Sequence, residues 1–417
     1  MGLLLTPLLS FTNEAAELND PKSTKQTSNV KIIDIEIRAK VELFNLRNEN
    51  LREGNNKKNE LELEPLLRLN AWVMKDSPLY GRTELEWKRL TTRKSGEQSE
   101  KQTKLELNQA YIGMTNEIIP YTHLKLGRWL YRDEREWLFD ENLDGVYVQS
   151  QMRDWFIDAA AGRINYWQKD LMDSTTRNTE TENIGSIMLR RTLEDKWQIG
   201  TYAVAQHNTD NNDRQLNVGL RSHNPARKGL QHWLELGMSK DRESGNGYAV
   251  DIGGTYLFDH GDIKPRVTLG YAFGSKDYRQ TGLHDNQATF GGATKFKIYG
   301  ETLDPDLTNI HIVSTGLGIN VTRNATLDVI YHAYSQASSG DISGNNVALK
   351  SQYDRQNTRY LGSGVDVVFG WEPTDNTKVE AIAGMFAPSK RFVSADKTNS
   401  PRSDNAYSVG MEFEMTF

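Results

Sequence analysis

Apolar and polar residues alternate with a period of two over most of this chain. At the C-terminal end, NAYSVGMEFEMTF, Tyr407, Val409, Met411, Phe413, Met415 and Phe417 share one face, with Ser408, Gly410, Glu412 and Glu414 between them. Near the start, Ile33, Ile35, Ile37, Ala39, Val41 and Leu43 alternate with Asp34, Glu36, Arg38, Lys40 and Glu42. Successive strand side chains point to opposite faces, so each stretch predicts a strand with one oily and one wet side. The same pattern recurs over 61–73, 79–90, 104–114, 122–131, 143–152, 155–167, 183–193, 197–208 and 214–224. It continues over 230–240, 247–258, 263–275, 309–322, 325–337, 358–371, 378–391 and 406–417, about 18 strands in all.

The connections fall into two sets that largely alternate along the chain. Residues 153–154, 194–196, 224–229, 260–262, 323–324 and 374–377 make tight turns, while 132–143, 168–182, 209–213, 276–308, 338–357 and 392–405 are longer and polar. Short turns at one edge and long loops at the other are the signature of an outer-membrane barrel. A propeller or β-helix would show a fixed internal repeat, and none is present. The predicted fold is therefore all-β: a single transmembrane antiparallel barrel spanning 31–417, with long extracellular loops and short periplasmic turns.

Composition adds further constraints. No stretch approaches 18 consecutive apolar residues, which excludes a spanning helix. The mean hydropathy of −0.66 does not exclude a barrel, in which lipid-facing and lumen-facing residues average out. The 17 Tyr, 13 Phe and 9 Trp are enough to furnish aromatic girdles at both interfaces. The absence of cysteine excludes disulfides and thiolate chemistry, and a net charge of −6 gives no sign of nucleic-acid binding. Residues 1–30 open on an apolar run, 3–11, without a basic leader; they are expected to be the remainder of a signal peptide followed by a flexible segment.

On inward parity the wet faces carry both signs of charge: Glu64 and Glu84 among the acids, and Arg38, Lys40, Arg68, Arg82, Lys125, Arg190, Arg221, Lys264 and Arg266 among the bases. Interleaved charges imply an aqueous lumen, because unpaired buried charge is costly. Most are expected to be solvated wall charges, and only a cluster at a constriction would select permeants. The eight histidines are scattered and accompany no nucleophile motif, metal-ligand spacing or phosphate loop, so neither an enzyme nor a cofactor is expected. Asp140, Glu141, Asn142 and Asp144 lack the spacing of a calcium loop.

Three ordered segments carry a family likeness: HLKLGRWLYRDEREWLFDENLDGVYV (123–148), YGETLDPDLTNIHIVSTGLGINV (299–321) and ATLDVIYHAYSQ (325–336). Together they resemble the alginate-export family of outer-membrane proteins over roughly residues 30–417. The resemblance implies an 18-stranded monomeric barrel in a Gram-negative outer membrane, with long loops folding in to constrict or plug the pore. It also implies a secreted polysaccharide as cargo, a periplasmic partner, and an arginine-rich constriction. Arg128, Arg132 and Asp140 match family charges near the pore, with a girdle role at the strand end as the alternative for the two arginines. Asn108 and Leu130 stand where arginines are expected, and Glu64 and Asp304 likewise depart from the pattern, which weakens the case for a polyanion.

Two functions follow as expectations. One is passive export of an exopolysaccharide, alginate-like, neutral or modified, by a monomer in contact with outer-membrane lipid. The other is a general or substrate-specific diffusion porin for small oligosaccharides or anions.

Overall fold

The computed structural model describes residues 32–55, 57–164, 166–173, 182–225, 228–242, 245–340, 342–349, 359–389 and 403–417. The proposed signal remnant, residues 1–30, lies outside the described residues. Alternation produces β1 (Ile33–Arg47), β2 (Asn59–Val73), β3 (Leu79–Lys94), β4 (Glu100–Met114), β5 (Thr122–Arg132), β6 (Asp140–Met152) and β7 (Trp155–Ile164). Then come β8 (Glu182–Thr192), β9 (Gln198–Asn208), β10 (Arg214–Asn224), β11 (Gly229–Asp241), β12 (Gly245–Leu257) and β13 (Arg266–Gly274). A small hairpin, β14 (Gln287–Ala288) and β15 (Phe296–Lys297), precedes β16 (Ile310–Thr322), β17 (Ala325–Gln336), β18 (Tyr360–Thr374), β19 (Thr377–Pro388) and β20 (Ala406–Thr416).

Leaving the hairpin aside, each strand pairs antiparallel with its neighbour in sequence, and β1 pairs with β20, so the 18-stranded sheet closes on itself. Closure removes the unpaired edges that hydrocarbon would not tolerate. No described helix is long and apolar enough to cross a membrane. The outer surface carries exposed Ile35, Val41, Leu67, Trp87, Ile112, Leu126, Ile187, Leu220, Ile252, Leu269, Leu317, Val329 and Phe413, a belt drawn from strands all around the barrel. In water such a belt would be a liability, and in a bilayer it is the solvated face.

The tight turns named from the sequence fall on one edge and the long connections on the other, although the β11–β12 connection on the long-loop edge spans only three residues. Several strand boundaries differ, and two of the differences bear on expected pore residues. β13 begins at Arg266, so Lys264 lies outside the wall, exposed in the 258–265 turn at φ 41°, and lines no pore. Asp140, expected in a loop, opens β6 opposite Arg132.

The candidate pore and its constriction

Inward positions on β19, β20 and β1–β4 fall into cross-strand rows. Glu380 pairs with Glu412, Glu412 with Glu42, and Glu42 with Glu64, so four carboxylates stand in one row. The next row towards the short-turn edge runs Lys378, Glu414, Lys40, Leu66, Lys88, Lys104 and is mostly basic. Like charges directly opposite are destabilising, and the two rows compensate each other diagonally. Lys40 Nζ lies 3.2 Å from Glu412 and also meets Glu42, while Lys88 Nζ is 3.0 Å from Glu106. One row lower, Arg68 joins Glu86 at 2.5 Å and Glu84 at 3.4 Å, and Arg38 reaches Glu414 at 3.7 Å. Part of this network keeps contact with water, Arg38 at 29% and Glu42 at 38% exposed, whereas Glu84, Glu86 and Glu106 are buried.

The opposite wall is dry. Two connections fold inward, 133–139 between β5 and β6, and 275–309 carrying the small hairpin, and they bring their own apolar core. Trp137, Leu138, Phe139, Tyr278, Leu283, Phe290, Phe296, Ile298, Tyr299 and Leu303 are buried with the wall residues Tyr202, Trp233, Ile312, Ile330, Tyr334 and Phe386. Trp233 stacks on Phe290 with centroids 5.4 Å apart, and Trp137 on Tyr278 at 6.4 Å.

Charges under this core are ion-paired, as buried charge requires, although Arg135 Nε and Glu235 Oε2 have no hydrogen-bond partner. Arg221, 4% exposed, reaches Glu235 at 2.7 Å, Asp133 at 2.9 Å and Glu134 at 3.5 Å. Arg135 sits 3.0 Å from Asp251 and 4.3 Å from the centre of the Trp233 ring. The same Asp251 accepts hydrogen bonds from Trp233 Nε1 (2.8 Å) and the Tyr299 hydroxyl (3.1 Å), which in turn accepts from Trp137 Nε1 (3.0 Å). Arg266 pairs with Asp328 at 3.0 Å, and Arg190 with Asp158 at 2.7 Å. Gly300, at φ +110°, lets the inward segment touch the wall: a Cβ there would meet the Tyr334 hydroxyl at 2.1 Å, and that hydroxyl donates to Tyr299 O at 2.9 Å.

Several groups of the inward segments titrate away from their ordinary ranges. Burial, reinforced by Asp366, raises the Glu301 carboxyl to about 8. Burial also raises Asp304 to about 6, against the pull of Lys297. Glu134 is held down at about 2, because Arg221, His223 and Arg190 together outweigh its burial. Glu136, Asp140 and Asp285 could together surround a cation. They already meet Arg132, Lys295 and Lys297, so the protein supplies their counter-charge.

The expected pore residues therefore separate into groups. Arg38, Lys40, Glu64, Arg68 and Arg82 lie on the wet wall; Glu84 is buried there, accepting from Asn108 (3.4 Å) and Gln109 (3.0 Å). Asn108 occupies a β-bulge, where β4 shifts register against β3. Lys125 faces inward over the Tyr111 ring at 5.1 Å. Arg190, Arg221 and Arg266 face inward but are sealed beneath the inward segments, and Asp304 belongs to one of those segments, 3.3 Å from Lys297. The expectation that interleaved charge means water thus fails on this wall, because the connections cover it and pair its charges.

Arg132 lies at the rim, bridging Asp140 and Glu136. Arg128 has the outward register. Trp129 and Tyr131 are the inward neighbours, and Arg128 is clamped to Asp144 at 2.7 Å under the backbone of Trp167. It does not line the pore. The sequence reading missed Asp133, Arg135, Trp137, Trp233 and Tyr299; the aromatic and charged density of REWLF (135–139) was the available signal.

A model of the alginate export family matches residues 30–404. The chain belongs to the alginate export family. Its fold is also that of solved Pseudomonas aeruginosa proteins: OccK7 (OpdD) at 10% identity and TM-score 0.57, covering 92% of this chain and 98% of that one, and OpdQ at 12% and 0.56, covering 93% and 99%. The outer membrane protein OprD is similar at 10% identity and TM-score 0.53, covering 93% and 94%. No curated protein matches the chain. The protein is an outer-membrane β-barrel channel.

Proposed function

We propose that the protein is a selective diffusion channel for small, hydroxyl-rich anions such as sugar acids and short oligosaccharides. The observation that carries this reading is the pairing of an inward-folded, ion-paired constriction with a wet wall bearing adjacent acidic and basic rows. A carboxylate fits against Lys40, Lys88 and Lys104, while sugar hydroxyls donate to Glu42, Glu64 and Glu412 in the row beside it. Rows of fixed charge select permeants by local sign and by the hydrogen bonds they offer. The acids in the wall disfavour a long polyanion, whose every repeat would face Glu42, Glu64, Glu380 and Glu412.

A second reading, export of a polysaccharide with help from a periplasmic partner, is supported by the family match. Liposome swelling separates the two. Rapid entry of mono- and disaccharide acids, with ionic current insensitive to added polymer, is expected. Exclusion of small sugars together with polymer block of the current would overturn the diffusion reading in favour of export.

A further inference from the structure

The wall is not continuous between β4 and β5. These strands pair only from Ala110 opposite Arg128 to Met114 opposite Leu124, in the half nearer the short turns. The divergence point is built in. Asn108 is bulged out of β4, and Gly127 on β5 sits at φ +129°, where a Cβ would lie 2.3 Å from Ala110 O. Only glycine lets β5 come so close to β4 and then turn away.

Beyond that point the open edge of β4 is closed by a piece of connection, residues 166–171, which follows β7. Leu107 N donates to Lys169 O at 2.9 Å, Leu171 N to Leu105 O at 2.7 Å, and Glu106 forms an antiparallel bridge with Asp170. Arg128 completes the closure by donating to Leu107 O (2.8 Å), to Trp167 O and to Asp144 (2.7 Å), while Trp167 N donates to Asp144 at 3.1 Å. Its contacts with Arg128 and Asp144, on the outward faces of β5 and β6, place it on the outer side of the wall.

A groove of about 450 Å³ opens at this seam on the lipid-facing side, lined mainly by Leu107, Ala110, Leu126, Gly127, Tyr166 and Trp167. Its lining is apolar apart from the internally paired Arg128 and Asp144. Behind it, on the lumen side, stand Asn108 and Gln109. On the outer face, towards the long-loop edge and about 20 Å along β4 from Leu107 at Lys101, Arg89, Arg93 and Lys101 project exposed, with no partner among the described residues.

We propose that the β4/β5 seam is a lateral port, and that residues 166–171 are its removable stave. The molecule it admits is a single-chain amphiphile with a phosphorylated sugar head. Its acyl chain lies in the Leu107–Leu126–Trp167 groove, its hydroxylated head passes Asn108 and Gln109, and its phosphate is received by Arg89, Arg93 and Lys101. The port leads from the lumen to the outer leaflet and is independent of which solute uses the axial path.

The test exploits the absence of native cysteine. Leu105 and Leu171 stand opposite each other in an antiparallel pair, where Cα atoms lie about 5.5 Å apart, within the span a disulfide bridges. In the Leu105→Cys/Leu171→Cys protein, a fluorescent decyl sugar phosphate enclosed in proteoliposomes is followed by its quenching with an external, non-reducing, membrane-impermeant dye, trypan blue. The reduced protein should transfer the probe at least tenfold faster than the oxidised one, with salt conductance unchanged. Arg128→Gln, which loosens the clamp, should accelerate transfer. Equal transfer in the oxidised and reduced proteins would overturn the port. So would a parallel fall in conductance, which would place the segment in the axial path.

Discussion

The wall of β19, β20 and β1–β3 and the wall of β10–β18 are written in the same alternating pattern, and they end in opposite environments. On the first, Glu42, Lys40 and Arg38 remain partly wet and exchange partners along rows. On the second, Arg221, Glu235 and Asp251 are sealed, each fixed by ion pairs and hydrogen bonds to a residue of an inward connection or a neighbouring strand. The difference comes from what covers the strands. Residues 133–139 and 275–309 bring Trp137, Phe139, Tyr278, Phe290 and Tyr299 onto one wall and leave the other to solvent. A barrel can therefore use one residue vocabulary for two tasks, anchoring a constriction and lining a path.

If the anchored wall holds the constriction, removing its central cation should have the largest effect. Arg221→Ala leaves Asp133, Glu134 and Glu235 without their shared partner, a loss of about 3–5 kcal/mol for a broken buried pair. Detergent-resistant folding should weaken, and single-channel conductance should rise severalfold as 133–139 leaves the wall. Tyr299→Phe is milder. It removes the donor to Asp251 and the acceptor for Trp137, about 1–3 kcal/mol for stranded buried polar groups, and should appear as brief openings in single-channel records.

Glu301 sharpens the comparison by pH. Its carboxyl, raised to about 8 from the ordinary 4.5, holds a proton in the seated segment that it loses when released. Seating is then strongest below about 4.5, and its stability declines as pH rises from there through about 8. Conductance should climb across that window in the native protein; in Glu301→Gln the climb above about pH 6 should vanish, leaving only the part that Asp304 contributes below it, as read by current–pH titration. The smallest effect belongs to the wet wall. Glu42→Gln relieves two cross-strand carboxylate contacts, with Glu412 and Glu64, and gives up the ion pair with Lys40, opposing effects of about 0.2–1 kcal/mol each that leave stability nearly unchanged. Reversal potentials in a salt gradient should shift towards anions.

The barrel was legible in the sequence because its signals are local and repeat. A period of two and alternating turn lengths suffice for 18 strands, and the wet parity of Glu42, Lys40 and Arg68 follows directly. The constriction was not legible, since periodicity stops at the connections and nothing in a polar loop says which wall it will meet. Arg221 and Arg38 look alike along the chain; only the arrival of Asp133 and Glu134 separates them. Arg128 was misplaced for a related reason. Its Gly-Arg context invites a pore reading, whereas inward parity runs unbroken through Gly127 to Trp129 and Tyr131.

Because the chain has no native cysteine, thiol labelling of two inward positions tests the account most directly. A small hydrophilic methanethiosulfonate reagent is applied to Glu42→Cys on the wet wall and to Ser314→Cys on β16, beneath the inward segments. Fast modification of position 42 with a fall in current, and no modification of position 314 in the folded protein, is the predicted result. Comparable labelling of both positions would contradict it, because the lumen would then be open water on every side.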